Sequence, residues 1–320
     1  MDEFALIRRY FADWSSAPSD VVLGIGDDAA LLSVPGGHEL VVTTDTLVAG
    51  RHFPLTTAPQ DIGWKALAVN LSDLAAMGAQ PRWFTLALTL PEPDESWLVA
   101  FASGLRALAD QHAVVLVGGD TTRGPLSITI TAMGVVPAGQ AIRRSGAQVG
   151  DLICVTGTLG DAALALHQLD RSMASEADRF LRAGMDRPTA RIEAGLGLRG
   201  LASAALDLSD GLAGDLRHLC TASGVGAEID PQALPPSTAF QQATASMSDA
   251  ERFALQAQGG DDYELCFCLP AEKLGEAQQR LSTLNLPLTV IGCITAEPGL
   301  RLRYADGHIT PLTTTGYSHF

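Results

Sequence analysis

The sequence predicts two consecutive α/β or α+β domains of similar size. Three observations carry this prediction. Strand-like and helical patterns alternate up to about residue 137, and the alternation starts afresh after about residue 150. Between them, PAGQAIRRSGAQVG (137–150) is rich in Gly and Ala with paired arginines, the composition of an interdomain connection. The 320 residues suffice for two ordinary cores. The domains are therefore placed at 1–137 and 148–320.

Taken in order, MDEFALIRRYFADW predicts an amphipathic N-terminal helix with its acids first, unlike a signal peptide. Strand-like runs follow at 21–25, 39–44, 84–90, 113–117 and 126–136, with helical patterns at 61–77 and 95–111. After the connection, DLICVTG reads as a strand and leads into helices from about 160 and around 175–184, with a break at Pro188. AALDLS, GAEID, YELCFCL, LTVIGCI and LRLRY read as strands, and helices fall near 211–223, 249–257 and 271–284.

The balance of 36 acidic against 21 basic residues gives a formal charge of −15, which tells against nucleic acid, since phosphate backbones need clustered Lys and Arg. That charge serves solubility, or is held in part by bound cations. The five cysteines form no C-x-x-C; Cys266 and Cys268 alternate along a strand as small core residues. No apolar run is long enough to span a bilayer. A cytoplasmic protein with no membrane partner is expected.

VVLGIGDDAALL (21–32) carries G-x-G-x-x-A after a strand, a variant of the dinucleotide fingerprint. Its context fails, because Pro35 arrives too soon for the long helix that fold needs, and Asp27 and Asp28 would repel phosphate. Gly195–Gly200 matches G-x-G-x-x-G but follows a helical pattern, and no Walker-type G-x-x-x-x-G-K occurs. What recurs is an apolar strand running into a small-residue turn and then aspartate, at Asp27 and Asp28, Asp45, Asp120, and Asp207 and Asp210. Each alone is a common turn former. Together, at the ends of neighbouring strands, they would repel strongly unless cations sat between them.

Asp73 lies in DIGWKALAVNLSDLAAMG, a helix apolar on nearly every side. It is either a buried carboxylate with a partner or a solvated polar edge, and both readings stay open. Carboxylates and hydroxyls without a His/Cys cluster favour Mg²⁺, held by a few carboxylates plus substrate phosphates. Arg123, Arg143 and Arg144, beside glycine-rich turns, are candidate phosphate contacts or surface charges. The seven histidines form no nucleophile constellation, and by the residues alone His52 is a loop histidine.

GIGDDAALL, TTDTLVAGRHF, WKALAVNLSDLAAMGAQP, LVGGDTTRGPLS, RSGAQVGD, VTGTLGDAALAL, LDLSDGL, GGDDYELCF and the terminal GYSHF, in this order, closely resemble the thiamine-monophosphate kinase family. The likeness runs from Phe4 to the C-terminus. The wider superfamily includes aminoimidazole ribonucleotide synthetase, selenophosphate synthetase and a hydrogenase-maturation factor. The resemblance implies an N-terminal α/β domain whose sheet pairs with that of a second subunit, making a homodimer with a shared β-barrel, and a C-terminal α+β domain over which the substrates are clamped. It implies ATP-dependent phosphorylation of thiamine monophosphate to thiamine diphosphate.

Carried over by motif, the family's Mg²⁺ positions fall on Asp28, Thr43, Thr44, Asp45, Asp73, Asp120, Asp207 and Asp210. ATP contacts fall on Gly119, Asp120, Arg144 and Ser209, and substrate contacts on His52, Asp261 and Tyr317. Asp27 is left unassigned. Asp261 stands where the family often has Glu, with the same charge and a shorter reach. No side-chain nucleophile or base is expected, since the acceptor phosphate oxygen is itself a nucleophile and transfer needs positioning and charge neutralisation. The rivals are another ATP-dependent enzyme of the superfamily and a non-catalytic regulator binding Mg²⁺ and nucleotide. A selenophosphate synthetase would carry a reactive Cys near its N-terminus, whereas the first here is Cys154.

Overall fold

A computed structural model describes residues 3–11, 19–170, 175–313 and 316. The chain divides into two compact units, Met1–Leu74 with Ala79–Gly139, and Ala75–Gly78 with Gln140–Phe320.

The first unit begins with α1 (Glu3–Tyr10) and a small hairpin of β1 (Val21–Leu23) and β2 (Leu31–Leu32). Its main sheet has four strands in the order β3 (His38–Val48), β6 (Ser127–Pro137), β4 (Gln80–Leu90), β5 (Val115–Arg123). β6 is antiparallel to both neighbours, and β5 runs parallel to β4. The sheet is open, with β3 and β5 at its edges, so the described residues form no closed barrel. Helices α2 (Pro59–Ala76) and α3 (Glu95–Gln111) belong to this layer. They approach backbone to backbone: a Cβ on Gly63 would sit 2.1 Å from the Phe101 carbonyl, and one on Gly104 would sit 1.8 Å from that of Gln60. Only glycine permits that distance. Asp94 starts α3 by accepting the N–H groups of Ser96 and Trp97. Fully buried Leu67, Leu71, Leu74, Trp83, Phe84, Leu98 and Phe101 fill the core.

The second unit carries a seven-stranded sheet. Its order is β13 (Ile309–Pro311), β12 (Gly299–Arg303), β9 (Gly226–Ile229), β11 (Leu288–Thr295), β7 (Leu152–Thr156), β10 (Leu265–Leu269), β8 (Ala204–Asp207). All pairs are antiparallel except β12 with β9. Among the described residues seven helices complete it: α4 (Asp161–His167), α5 (Glu176–Asp186), α6 (Ile192–Leu198), α7 (Leu212–Ser223), α8 (Thr238–Ala243), α9 (Asp249–Gln258) and α10 (Leu274–Ser282), the last following a 3-10 turn. Ser175 with Asp178 and Ser248 with Glu251 form capping boxes on α5 and α9. β10 is buried at every residue, so Cys266 and Cys268 are core side chains as read from the sequence.

The topology positions the chemistry of this unit. β10 lies between β7 and β8 and is antiparallel to both. The loop leaving β7, the loop leaving β8 and the loop entering β10 therefore meet at one end of the sheet.

Several sequence readings change. Asp45 and Asp120 do not end strands: Asp45 pairs with Ile130 inside β3, and Asp120 with Ala87 inside β5. Thr and Gly neighbours, read as turn residues, continue as ladder. β2, α6, α8 and β13 were not anticipated, being two to seven residues long. Gly195–Gly200 proves to be the end of α6 and the turn after it. Among the described residues no helix is long and apolar enough to cross a membrane.

Candidate functional site

In the first unit the strand register sorts the expected metal positions. Successive side chains on a strand point to opposite faces. Thr43 and Asp45 share a face with buried Leu47, and Asp73 of α2 accepts a hydrogen bond from the Thr43 hydroxyl. The backbone N–H of Asp45 donates to Asn70 Oδ1 at 3.1 Å, and Asn70 Nδ2 donates to the Ala66 carbonyl at 3.1 Å. Asn70 and Asp73, three residues apart on α2, thus tie the helix to β3. Asp73 is half-buried on a helix whose neighbouring residues are buried, which favours the partnered-carboxylate reading over the solvated edge.

Thr44 faces the other way, where its hydroxyl meets that of Thr131 at 2.9 Å and Thr46 meets Thr129 at 2.8 Å. Asp120 is in register with Ala87, which is in register with Thr129, so it belongs to this second face. Asp45 and Asp120 stand on opposite edge strands, three spacings of about 4.8 Å apart and on opposite faces. One ion cannot bind both within this chain.

Asp27, Asp28 and Asp120 instead line one cavity of about 840 Å³, with Gly24, Gly26, Gly118 and Gly119 among its walls. Asp27 Oδ1 accepts the N–H of Asp28 at 2.8 Å, which engages Asp27 in its own turn. Gly119 has a packing reason, since a Cβ there would lie 1.8 Å from the Leu86 carbonyl. Among the described residues no three His, Cys, Asp or Glu side chains converge into a ready-made metal cage. Separated carboxylates and hydroxyls, Asp27, Asp28, Asp120, Thr85 and Thr121, in an otherwise apolar and glycine-rich wall, fit a hard cation that keeps waters and takes phosphate oxygens, as Mg²⁺ does.

His52 sits in the turn after β3. The Val48 N–H donates to its Nδ1 at 2.9 Å, while the His52 N–H donates to the Val48 carbonyl at 3.1 Å. With Nδ1 accepting, the neutral ring carries its proton on Nε2. Arg123 donates through Nε to the Pro91 carbonyl at 3.3 Å, a local engagement.

In the second unit the loops at the sheet end are laced together. Asp207 closes β8 and is buried; Ser209 and Asp210 follow it. The Asp261 N–H donates to the Ser209 carbonyl at 2.9 Å, Tyr263 N–H to Leu208 at 2.8 Å, and Leu208 N–H to Glu264 at 2.8 Å. Asp261 and Tyr263 hold φ of 70° and 49°, and the Tyr263 hydroxyl donates to Asp261 Oδ1 at 3.1 Å. The shorter Asp261 is therefore oriented by its neighbour. Arg144 is exposed, its carbonyl held by the Ser223 hydroxyl at 3.2 Å, and the Arg143 carbonyl accepts from Ala205 at 2.9 Å. Gly316 runs against the Asp210 carbonyl, whereas Tyr317 lies outside the described residues.

Four acids here escaped the sequence reading. Glu264 is buried and paired with Arg191, whose Nε and Nη2 donate to its two carboxylate oxygens, and it accepts from the Thr156 hydroxyl at 2.6 Å. Asp262 receives the Gly160 N–H on both oxygens at 3.0 Å; desolvation raises its carboxyl well above the usual range, and the charges of Asp161, Glu264 and Asp261 add to that. Asp161 is raised by burial against opposing hydroxyl bonds from Ser237 and Thr158. Asp215, buried in the first turn of α7, accepts the Asp210 N–H at 3.0 Å. Burial, with the neighbouring Asp210 charge, pushes its carboxyl up to about 7 against the backbone hydrogen bonding that favours its ionised form. The visible signal for Asp215 was its place in LSDGLAGDL, an acid beside others in a strand-to-helix turn.

Comparison with known proteins follows this geometry closely. The N-terminal domain of AIR synthase related protein matches residues 26–136, and its C-terminal domain matches 148–305. The thiamine-monophosphate kinase of Salmonella typhimurium is 49% identical over 99% of this chain and 98% of its own. The crystal structure of thiamine-monophosphate kinase from Stenotrophomonas maltophilia superposes with a TM-score of 0.88 at 49% identity, covering 96% of this chain and 98% of that one. AaThiL complexed with AMPPCP and TMP superposes at 0.79 with 32% identity, covering 92% of each.

Proposed function

The chain belongs to the thiamine-monophosphate kinase family, and we infer that it transfers the γ-phosphoryl group of ATP to thiamine monophosphate, giving thiamine diphosphate and ADP. The observation that carries this is the similarity, over 92% of both chains, to a structure holding an ATP analogue together with TMP.

Both reactants are phosphates, and the protein has a formal charge of −15. Bringing them together demands counter-charge rather than a base, because the acceptor oxygen is already nucleophilic. We take the transfer as direct and in line, with no phosphoenzyme. Asp28, Thr43, Thr44, Asp45, Asp73 and Asp120 in the first unit, and Asp207 and Asp210 in the second, are proposed to hold Mg²⁺. Mg²⁺ held there would supply positive charge to neutralise the phosphates. The separation of Asp45 from Asp120 supports several ions rather than one.

Gly119, Asp120, Arg144 and Ser209 are proposed to contact ATP. His52 and Asp261, with Tyr317, are proposed for the acceptor. The Nε2–H tautomer of His52 makes it a donor to a phosphate oxygen.

A homodimer with a shared barrel is proposed on the β3 edge. This strand is eleven residues long, lies at the sheet edge among the described residues, and shows exposed Leu40, Val42 and Val48. Such an edge favours association unless covered. Residues 1–137 would form the ATP-binding dimerisation domain and 148–320 the C-terminal domain. The five free thiols are consistent with a cytoplasmic location.

The test is Mg²⁺-dependent ADP release from ATP, with and without thiamine monophosphate. Release that requires the acceptor supports the reading. Release indifferent to it overturns the acceptor assignment.

A further inference from the structure

The loop between β8 and α7 belongs to neither element, so its backbone groups need other partners. The Leu208 N–H goes to Glu264, while the Leu208 and Ser209 carbonyls accept from Tyr263 and Asp261. The Asp210 N–H turns to the Asp215 carboxyl, which accepts it at 3.0 Å. Gly211, the N-cap of α7, offers no side chain to do this. Asp215 is 6% exposed, so it reaches the substrates only through what it holds. A single buried acid thus holds the backbone of Asp210, a position that the previous section assigns to metal, directly after Ser209, which it assigns to nucleotide.

We propose that Asp215 is the positioning residue of the phosphoryl transfer: by holding the Asp210 backbone it fixes the 207–211 loop so that Ser209 and Asp210 present their side chains to the nucleotide. This rests on the assignment of that loop to nucleotide. A buried carboxyl that accepts a backbone N–H holds a short loop against thermal disorder, because the freed N–H would otherwise lose its partner. The same contacts would arise in a plain helix cap, so the two roles must be separated by what they change. A cap affects stability alone; a positioning residue affects how nucleotide is bound and used.

The experiment compares Asp215→Ala, Asp215→Asn and, as a stability control, Arg182→Ala, which breaks the α5 pair with Asp186. Melting temperature, KM for each substrate and kcat are measured on the full chain, with AMPPCP affinity measured in parallel. Loss of the bond to the Asp210 N–H predicts that Asp215→Ala lowers kcat/KM for ATP by about tenfold or more. KM for thiamine monophosphate should stay within about twofold, and Asp215→Asn, which keeps one acceptor oxygen, should recover part of the loss. Arg182→Ala should lower the melting temperature without moving KM for ATP. Folded Asp215→Ala with wild-type ATP parameters would overturn the proposal. Should Asp215→Ala fail to fold, Asp215→Asn decides, with weaker AMPPCP binding expected and unchanged binding overturning it. If the wild type binds AMPPCP but makes no thiamine diphosphate, the kinase reading fails, and the AMPPCP affinities still decide the role of Asp215.

Discussion

The backbone N–H of Asp45 is held by the Oδ1 of Asn70, 3.1 Å away on α2. This bond sets the height at which β3 presents Asp45, and one turn further along the helix Asp73 accepts from Thr43. Asn70 is fully buried, so replacing it removes its bonds to the Asp45 N–H and the Ala66 carbonyl, at a cost of about 1–3 kcal/mol. Asn70→Ala should therefore lower the melting temperature by several degrees and reduce kcat as well. Calorimetry and steady-state kinetics on the same preparation check both.

Asp45→Asn, Asp73→Asn and Asp120→Asn should each keep the fold and cut activity by about a hundredfold or more, as loss of a charge that stabilises the transition state does. The amide at 73 still accepts from Thr43, so the packing survives. Circular dichroism and turnover decide; wild-type turnover in any variant removes that residue from the metal set.

His52→Ala should raise KM for thiamine monophosphate with a smaller effect on KM for ATP. The ring donates from Nε2 while Nδ1 is engaged by Val48, so a glutamine at 52 should retain more acceptor affinity than alanine. An unchanged KM for thiamine monophosphate in His52→Ala would remove His52 from the acceptor site.

Breaking the Glu264–Arg191 pair should be costly, because it leaves a charge at a 5% exposed side chain. Arg191→Ala is expected to lose about 3–5 kcal/mol in denaturant unfolding. A loss below about 1 kcal/mol would show the pair to be worth no more than an exposed one.

Asp215 gives the stability of the metal-free protein a pH dependence. Its folded value of about 7 lies above the usual 3.8, so between these values the folded state keeps a proton that the unfolded chain releases. The contribution is present in full below about 4 and is lost as pH rises through about 7. Urea unfolding of the metal-free protein should show this fall, and Asp215→Asn should flatten it.

The elements were legible wherever period and length agreed. The apolar alternation of β6 and the length of α2 and α3 are plain in the sequence. Asp45 and Asp120 were read as strand ends, because the Thr and Gly beside them look like turn formers and act here as ladder residues. Asn70 and Asp215 were not found. Their work is done on backbone N–H groups of other segments, and a sequence does not show which N–H groups a fold leaves without a ladder partner. Glu264 was quoted in GGDDYEL, yet its partner Arg191 lies 73 residues away.

The most direct test of the account follows the phosphoryl group itself. ATP labelled in its γ-phosphate is incubated with the protein, Mg²⁺ and thiamine monophosphate, and the products are identified by mass. The account predicts the label in the terminal phosphate of thiamine diphosphate, one for each ADP formed. Label in inorganic phosphate or on the protein, with no labelled thiamine diphosphate, would contradict it.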